Sequence, residues 1–126
     1  MPARRNKDAI GIAGERHARM MLEAHGYQFL ASNWHCSAGE LDLVMLDRDL
    51  LVFVEVKTRR GERAGRADDA VSPAKARRML ATAEWYFGEH PEHQDRTWRC
   101  DLVAITIDPK MGAAQANHYE NAIVTG

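Results

Sequence analysis

The sequence predicts an α/β domain, a central sheet with helices packed against it, and three observations carry that prediction. The consecutive segments 40–46 and 51–57 are dense in Leu and Val at both alternating sets of positions, so the strands they form are apolar on both faces and need helices to cover them. Two other stretches, around 9–25 and 73–88, place apolar residues at helical spacing between recognisable start and stop signals. A chain of 126 residues with 45% hydrophobic and 28% charged content is also the size and composition of one globular domain with a single core. One domain over 1–126 is therefore expected, opened by a basic arm at 1–8.

The elements follow in order. Asp8 caps a helix over about 9–25, whose apolar positions Ala18, Met21, Leu22 and Ala24 run up to a stop at Gly26. Tyr27 to Trp34 is aromatic and apolar with some alternation, and Ser37-Ala38-Gly39 then offers a hairpin turn. Glu40 to Leu46 and Leu51 to Lys57 form the second and third strands around the polar turn Asp47-Arg48-Asp49. A charged, glycine-containing loop is expected from Thr58 to Val71, long for a small domain and of the kind that often carries function. Ser72 then caps a second helix with Pro73 at its first position, and Ala76, Met79, Leu80, Ala83 and Phe87 form its stripe before Gly88 closes it. After a loop from His90 to Thr97, Trp98 to Ile107 alternates as a fourth strand. Beyond Asp108-Pro109 the patterning of the C-terminal part weakens.

Several function classes fall away. No apolar run approaches the ~20 residues that cross a bilayer, and the amino terminus lacks the apolar stretch of a secretory signal, so a cytosolic location and no membrane partner are expected. Cys36 and Cys100 stand far apart without metal-ligand spacing, which predicts two reduced, partly buried thiols. The six histidines receive no role, and His90 and His93 are read as solvated loop residues. The formal net charge is −1, yet the span from Lys57 to Arg78 holds eight basic residues against three acidic ones. Such a run is most often a solvated face; next to an acidic site it also suits a phosphate backbone.

That acidic site is read from the hairpin. With Leu46 opposite Leu51, strand alternation places Glu40 and Asp42 on the face of Val44 and Leu46, and Glu55 and Lys57 on the face of Leu51 and Phe53. The same register sets Asp42 opposite Glu55 and Glu40 opposite Lys57. Opposed like charges destabilise a hairpin, so Asp42 against Glu55 needs a reason, and a divalent cation with hard oxygen ligands supplies one. Lys57 could then orient a water or stabilise charge on a phosphoryl oxygen. Glu15 lies on the apolar stripe of the first helix, and its expected partner is the metal, a metal-bound water or an arginine. The plainer alternative is a Glu40–Lys57 ion pair with Asp42 accepting backbone hydrogen bonds at a strand end. Lys75 is read as a solvated helix residue, with phosphate contact as its alternative.

Gly11-x-x-Gly14-Glu15, Gly39-Glu40-Leu41-Asp42 and Phe53-Val54-Glu55-Val56-Lys57-Thr58-Arg59 occur in that order, followed by Arg99-x-Asp101 and His118-x-x-Asn121-Ala122. Together, from about Gly11 to Asn121, they resemble the YraN family of bacterial proteins. Within them, Asp42 with Glu55-Val56-Lys57 resembles the PD-(D/E)xK nuclease superfamily, and the chain is similar, more distantly, to archaeal Holliday junction resolvases. The resemblance implies a restriction-endonuclease-like three-layer fold, with a central mixed sheet of four to five strands flanked by helices. It implies Asp42 and Glu55 as ligands of Mg²⁺ or Mn²⁺, Lys57 as the catalytic lysine and Glu15 as an additional acid, with Glu40 in support. Arg59, Arg60 and Lys75 become candidate nucleic-acid contacts. Leu41 stands where the superfamily has proline, which leaves the carboxylate in place; His35 stands where a basic residue, often arginine, is expected, which weakens phosphate contact by the first hairpin. The function so implied is a metal-dependent endonuclease acting on DNA phosphodiesters, on branched or otherwise structured DNA. The alternative is a non-catalytic nucleic-acid- or protein-binding module that keeps the fold. Junction resolvases act as dimers, which raises a homodimer, although no dimer face is legible in the sequence.

Overall fold

The computed structural model describes residues 7–61, 71–108, 110 and 114–124. Helix α1 spans Ala9–Ala24, capped by the Asp8 carboxylate, which accepts the Gly11 amide at 2.8 Å. It ends where His25 and then Gly26, at φ +92°, leave the helical region. Ala18 and Leu22 are buried as the stripe predicts, whereas Ala24 is exposed because the helix finishes there. Strands β1 (Gln28–Cys36), β2 (Gly39–Asp47) and β3 (Leu50–Arg60) form an antiparallel meander. Helix α2 (Pro73–Glu89) carries the chain across to β4 (Trp98–Ile107), which runs parallel to β3, and β5 (Ala114–Tyr119) closes the far edge antiparallel to β4. The five strands lie in the order β1-β2-β3-β4-β5, a mixed sheet between two helices. This is the three-layer α/β architecture expected.

The doubly apolar strands are the reason for two cores. On one face Val44, Leu46, Leu51 and Phe53 pack beneath Ala76, Met79, Ala83 and Tyr86 of α2. On the other, Leu43, Met45, Val52, Val54, Val103 and Ile105 pack beneath Ala18 and Leu22 of α1. Each fully buried Leu, Val or Phe contributes roughly 1.5–3 kcal/mol of apolar burial. Ser72 caps α2 by accepting the Lys75 amide at 3.2 Å, with Pro73 in the first turn.

Two expectations change. Thr58, Arg59 and Arg60 are not loop but the end of β3, because parallel pairing with Ile105, Thr106 and Ile107 of β4 overrides their polarity. Residues 62–70 of that loop, Arg63 and Arg66 among them, and the arm before Lys7 lie outside the described residues. His90 and His93 are not free loop residues: His90 is half-buried and stacks on Tyr86 with ring centroids 3.8 Å apart, and His93 is buried in the short 3-10 turn Pro91–His93. Both cysteines are free, Cys36 half-buried and Cys100 buried, and burial pushes the Cys100 thiol up to about 12.

Candidate functional site

Helix α1 approaches the sheet closely at one point. A Cβ on Gly14 would stand 1.9 Å from Thr58 Oγ1 on β3, so only glycine lets the helix settle there. The next residue, Glu15, is thereby pressed down beside the ends of β2 and β3, where it is buried despite its charge.

Asp42 reaches the site through an irregularity. The β2–β3 ladder runs as predicted, with Leu46 opposite Leu51, as far as Leu43 opposite Val54. Beyond that pair, Asp42 turns one carboxylate oxygen to accept the Val56 amide at 2.9 Å. On the other side, β1 pairs Ser32 with Leu43 and Trp34 with Leu41, skipping the rung between Asn33 and Asp42. Asn33 sits at φ +51°. The alternation of β2 slips at this point, for Leu41 joins the α2 core while Leu43 joins the α1 core. The predicted common face for Glu40, Asp42 and Val44 is therefore corrected: the left-handed turn of the neighbouring strand swings Glu40 toward α1. Glu40, which the register sets opposite Lys57, meets Lys7, with Oε1 at 3.2 Å from Nζ.

The Lys7 ammonium, just before the α1 cap, is held by three carboxylates. It bonds to Glu15, lies 2.7 Å from Asp42 Oδ1 and 3.2 Å from Glu40. Burial alone would lower the Lys7 pKa, but the Asp42 charge and then hydrogen bonds to Asp42 and Glu15 outweigh it, so the group is held above its usual value. Glu15 moves up, chiefly through burial and, against the pull of Lys7, with the Asp42 charge adding to it. The partner of the buried Glu15 is thus a lysine, where the sequence suggested a metal, a water or an arginine.

Glu55 is buried on β3, and its carboxylate meets Lys75 of α2 at 2.6 Å. Lys75 is therefore an ion-pair partner within the site rather than a solvated helix residue. Glu40, Asp42, Glu55, Lys75 and Arg78 line one cavity of about 140 Å³ with Thr82 and Gly39. Lys57 is half-buried and leaves β3 on the face of Glu55, by strand alternation. Arg59 follows on that face with a buried Nε that has no hydrogen-bond partner, while Arg60 is exposed at the strand end. The structure thus gathers Glu15, Glu40, Asp42, Glu55 and Lys75 at one end of the sheet, with Lys57, Arg59 and Arg60 continuing along β3.

As they stand, no three His, Cys, Asp or Glu side chains among the described residues are spaced to hold a metal ion. The donor set nonetheless fits a hard divalent cation: it is all carboxylate oxygen, and a positive charge is already seated among three of the groups. Glu40 Oε1 is also buried without hydrogen-bond geometry to any donor, leaving an acceptor to be satisfied.

Sequence reading missed Lys7 and Asn33. Asn33 had a faint signal, being a residue type depleted in strands yet placed inside one; Lys7 had none beyond belonging to a basic arm. The motifs Arg99-x-Asp101 and His118-x-x-Asn121, singled out in the sequence without a role, come together as a second polar cluster. Asp101 on β4, fully buried, accepts from His118 at 2.7 Å, from Arg99 at 2.8 Å and from the Asn121 amide at 2.8 Å. This cluster ties β5 and the segment after it to the core, and its carboxylate is fully supplied with donors.

The model of the "Uncharacterised protein family UPF0102" matches residues 14–105, a span that contains Glu15, Glu40, Asp42, Glu55, Lys57 and Lys75. A UPF0102 protein of Beutenbergia cavernae is 45% identical over 114 residues, covering 90% of this chain and 95% of its own. One of Roseiflexus castenholzii is 37% identical over 123 residues and 98% of both chains. One of Kineococcus radiotolerans is 45% identical over 115 residues, with 90% and 93% covered.

Proposed function

From the premise that the chain belongs to the uncharacterised protein family UPF0102, that of YraN, we propose that it is a divalent-cation-dependent nuclease of the PD-(D/E)xK kind, acting on DNA phosphodiesters. The observation that carries this reading is the seating of the Lys7 ammonium among Glu15, Glu40 and Asp42, since it marks a place built to hold positive charge. Asp42 and Glu55 would hold Mg²⁺ or Mn²⁺, with Glu15 and Glu40 on its waters. When bound, the ion supplies Lewis-acid polarisation of the phosphoryl oxygen and a more acidic water. Lys57 donates to the attacking water and to the oxygen that gains charge in an in-line displacement. Arg59, with its unpaired buried Nε, and Arg60 meet backbone phosphates, and Lys75 exchanges Glu55 for a phosphate oxygen. Branched DNA is the substrate form the reading favours. A four-way junction is two-fold symmetric and would be met by a homodimer, and the cytoplasm is where such DNA would be found.

The test is cleavage of branched, single-stranded and duplex DNA with Mg²⁺ or Mn²⁺. Wild type should cleave at least one form, and Asp42→Ala and Lys57→Ala should each lose 100-fold or more, on the order of removing one transition-state donor. Equal cleavage by all three proteins sinks the reading. The ion pair between Glu55 and Lys75 favours a second reading, a non-catalytic nucleic-acid-binding module in which these charges are structural. There, binding survives Asp42→Ala and weakens when Arg59 and Arg60 are neutralised, with the salt slope falling by about one unit per lost phosphate contact.

A further inference from the structure

Asn33 combines features that a strand residue does not ordinarily combine. Its backbone is left-handed, a conformation that costs most residues about 1 kcal/mol and that Asn enters more readily than other side chains. The rung it would form with Asp42 is skipped, so the two residues face one another across β1 and β2 without the ladder that flanks them. Its Oδ1 is buried and has no hydrogen-bond partner. Its side chain also acts on the Glu15 carboxyl as a donor would, lowering its pKa against the larger effect of burial. Only the amide nitrogen can donate to a carboxylate, which assigns Nδ2 to Glu15 and leaves Oδ1 as the orphan. A buried carbonyl oxygen without a donor costs about 1–3 kcal/mol, so the fold carries two local penalties at one position beside the acids.

We propose that Asn33 is a positioning residue of this site: Nδ2 holds the Glu15 carboxylate turned toward Asp42, and Oδ1 is a neutral acceptor kept for the hydration shell of a bound divalent cation. The inference rests on the cation reading above and adds a residue to it. Mg²⁺ and Mn²⁺ retain several waters when bound by few carboxylates, and those waters need acceptors in the second layer of contacts. Glu40 Oε1, buried and 3.2 Å from the Lys7 ammonium without hydrogen-bond geometry, fits the same need.

The experiment is a Mn²⁺ titration of the full chain, following free Mn²⁺ by its paramagnetic resonance signal, together with melting curves of the metal-free proteins. Asn33→Gly keeps the left-handed backbone and removes the amide. Wild type should bind Mn²⁺ and Asp42→Asn should abolish binding. Asn33→Gly should weaken binding about 10- to 100-fold, the usual effect of removing such an outer partner, without lowering the melting temperature of the metal-free protein. Asn33→Asp keeps the shape but adds a charge beside Glu15 and Asp42. Its metal-free form should melt lower than wild type, and Mn²⁺ should raise its melting temperature by more than it raises that of wild type. Equal Mn²⁺ affinity in wild type and Asn33→Gly, or an equal Mn²⁺-induced rise in wild type and Asn33→Asp, overturns the role of Asn33 and leaves the cation reading standing. No Mn²⁺ binding by wild type overturns both.

Discussion

Replacing Gly14 by alanine sets two effects of opposite sign against each other. In an exposed helix, Gly→Ala stabilises by about 1 kcal/mol through the loss of backbone freedom in the unfolded chain. At Gly14 the new methyl would lie 1.9 Å from Thr58 Oγ1 and 2.9 Å from both Cβ and Cγ2. Rotating the threonine cannot relieve this, because all its heavy atoms past Cα are within reach, so α1 must lift or β3 must bend. Overpacking of that sort costs about 1–3 kcal/mol, and more when backbone rather than side chain must yield. The expected net effect is a loss of about 1–2 kcal/mol in urea unfolding, read as a fall of roughly 4 °C per kcal/mol in the melting temperature. Adding Thr58→Ala removes Oγ1 and Cγ2 and leaves only the 2.9 Å contact, so the double variant should recover part of the loss. A more stable Gly14→Ala, or strictly additive effects of the two substitutions, would refute the close approach and with it the explanation of how Glu15 is seated.

Two further outcomes follow from buried charge. Burial alone would raise the Asp101 pKa, but hydrogen bonds from His118, Arg99 and the Asn121 amide outweigh it and hold it below its ordinary 3.8. A depressed carboxylate stabilises the fold above the unfolded-state value and loses that contribution as pH falls through the folded one. Urea stability of wild type should therefore decline below pH about 4, and Asp101→Asn should be less stable at pH 7 with a shallower acid decline; parallel curves for the two proteins would contradict this. Lys7→Met should lower the metal-free melting temperature by an amount equivalent to about 2 kcal/mol, less than for a fully buried pair, since it strands three carboxylates. Mg²⁺ should restore more stability to that variant than to wild type, and an unchanged melting temperature in the absence of metal would argue that Lys7 does not neutralise the acids.

What was legible in the sequence was what local rules determine. The short turn after Asp47 fixes Leu46 opposite Leu51, and the register then holds to Leu43 opposite Val54 because a one-residue slip would move every Leu and Val to the wrong core. The caps at Asp8 and Ser72 likewise depend on neighbours within one turn. The orientation of Glu40 was not legible, because it depends on the left-handed backbone of Asn33 in another strand. Nor was the end of β3: Thr58, Arg59 and Arg60 read as loop by composition and become strand only because β4 offers a parallel partner. The buried histidine His93 and the Asp101–His118 bond depend on contacts far apart in sequence, to which periodicity is blind.

The arrangement of the acids explains why the chain spends two lysines on them. Unit charges about 4 Å apart interact by about 4 kcal/mol at the effective dielectric of a protein surface, so Glu15, Glu40 and Asp42 could not remain charged and close together without a cation among them. Lys7 is that cation for this group, and Lys75 serves Glu55 in the same way. The two differ in attachment. Lys75 stands in the first turn of a capped helix, whereas Lys7 precedes the α1 cap, outside the helical hydrogen bonds. A cation arriving at Asp42 could therefore displace the Lys7 ammonium by moving chain that no helical bond restrains, whereas displacing Lys75 requires only that its long side chain exchange one anion for another. An acidic site neutralised by replaceable internal charges stays folded when metal-free and still admits a divalent ion, which is the electrostatic condition that the nuclease reading requires.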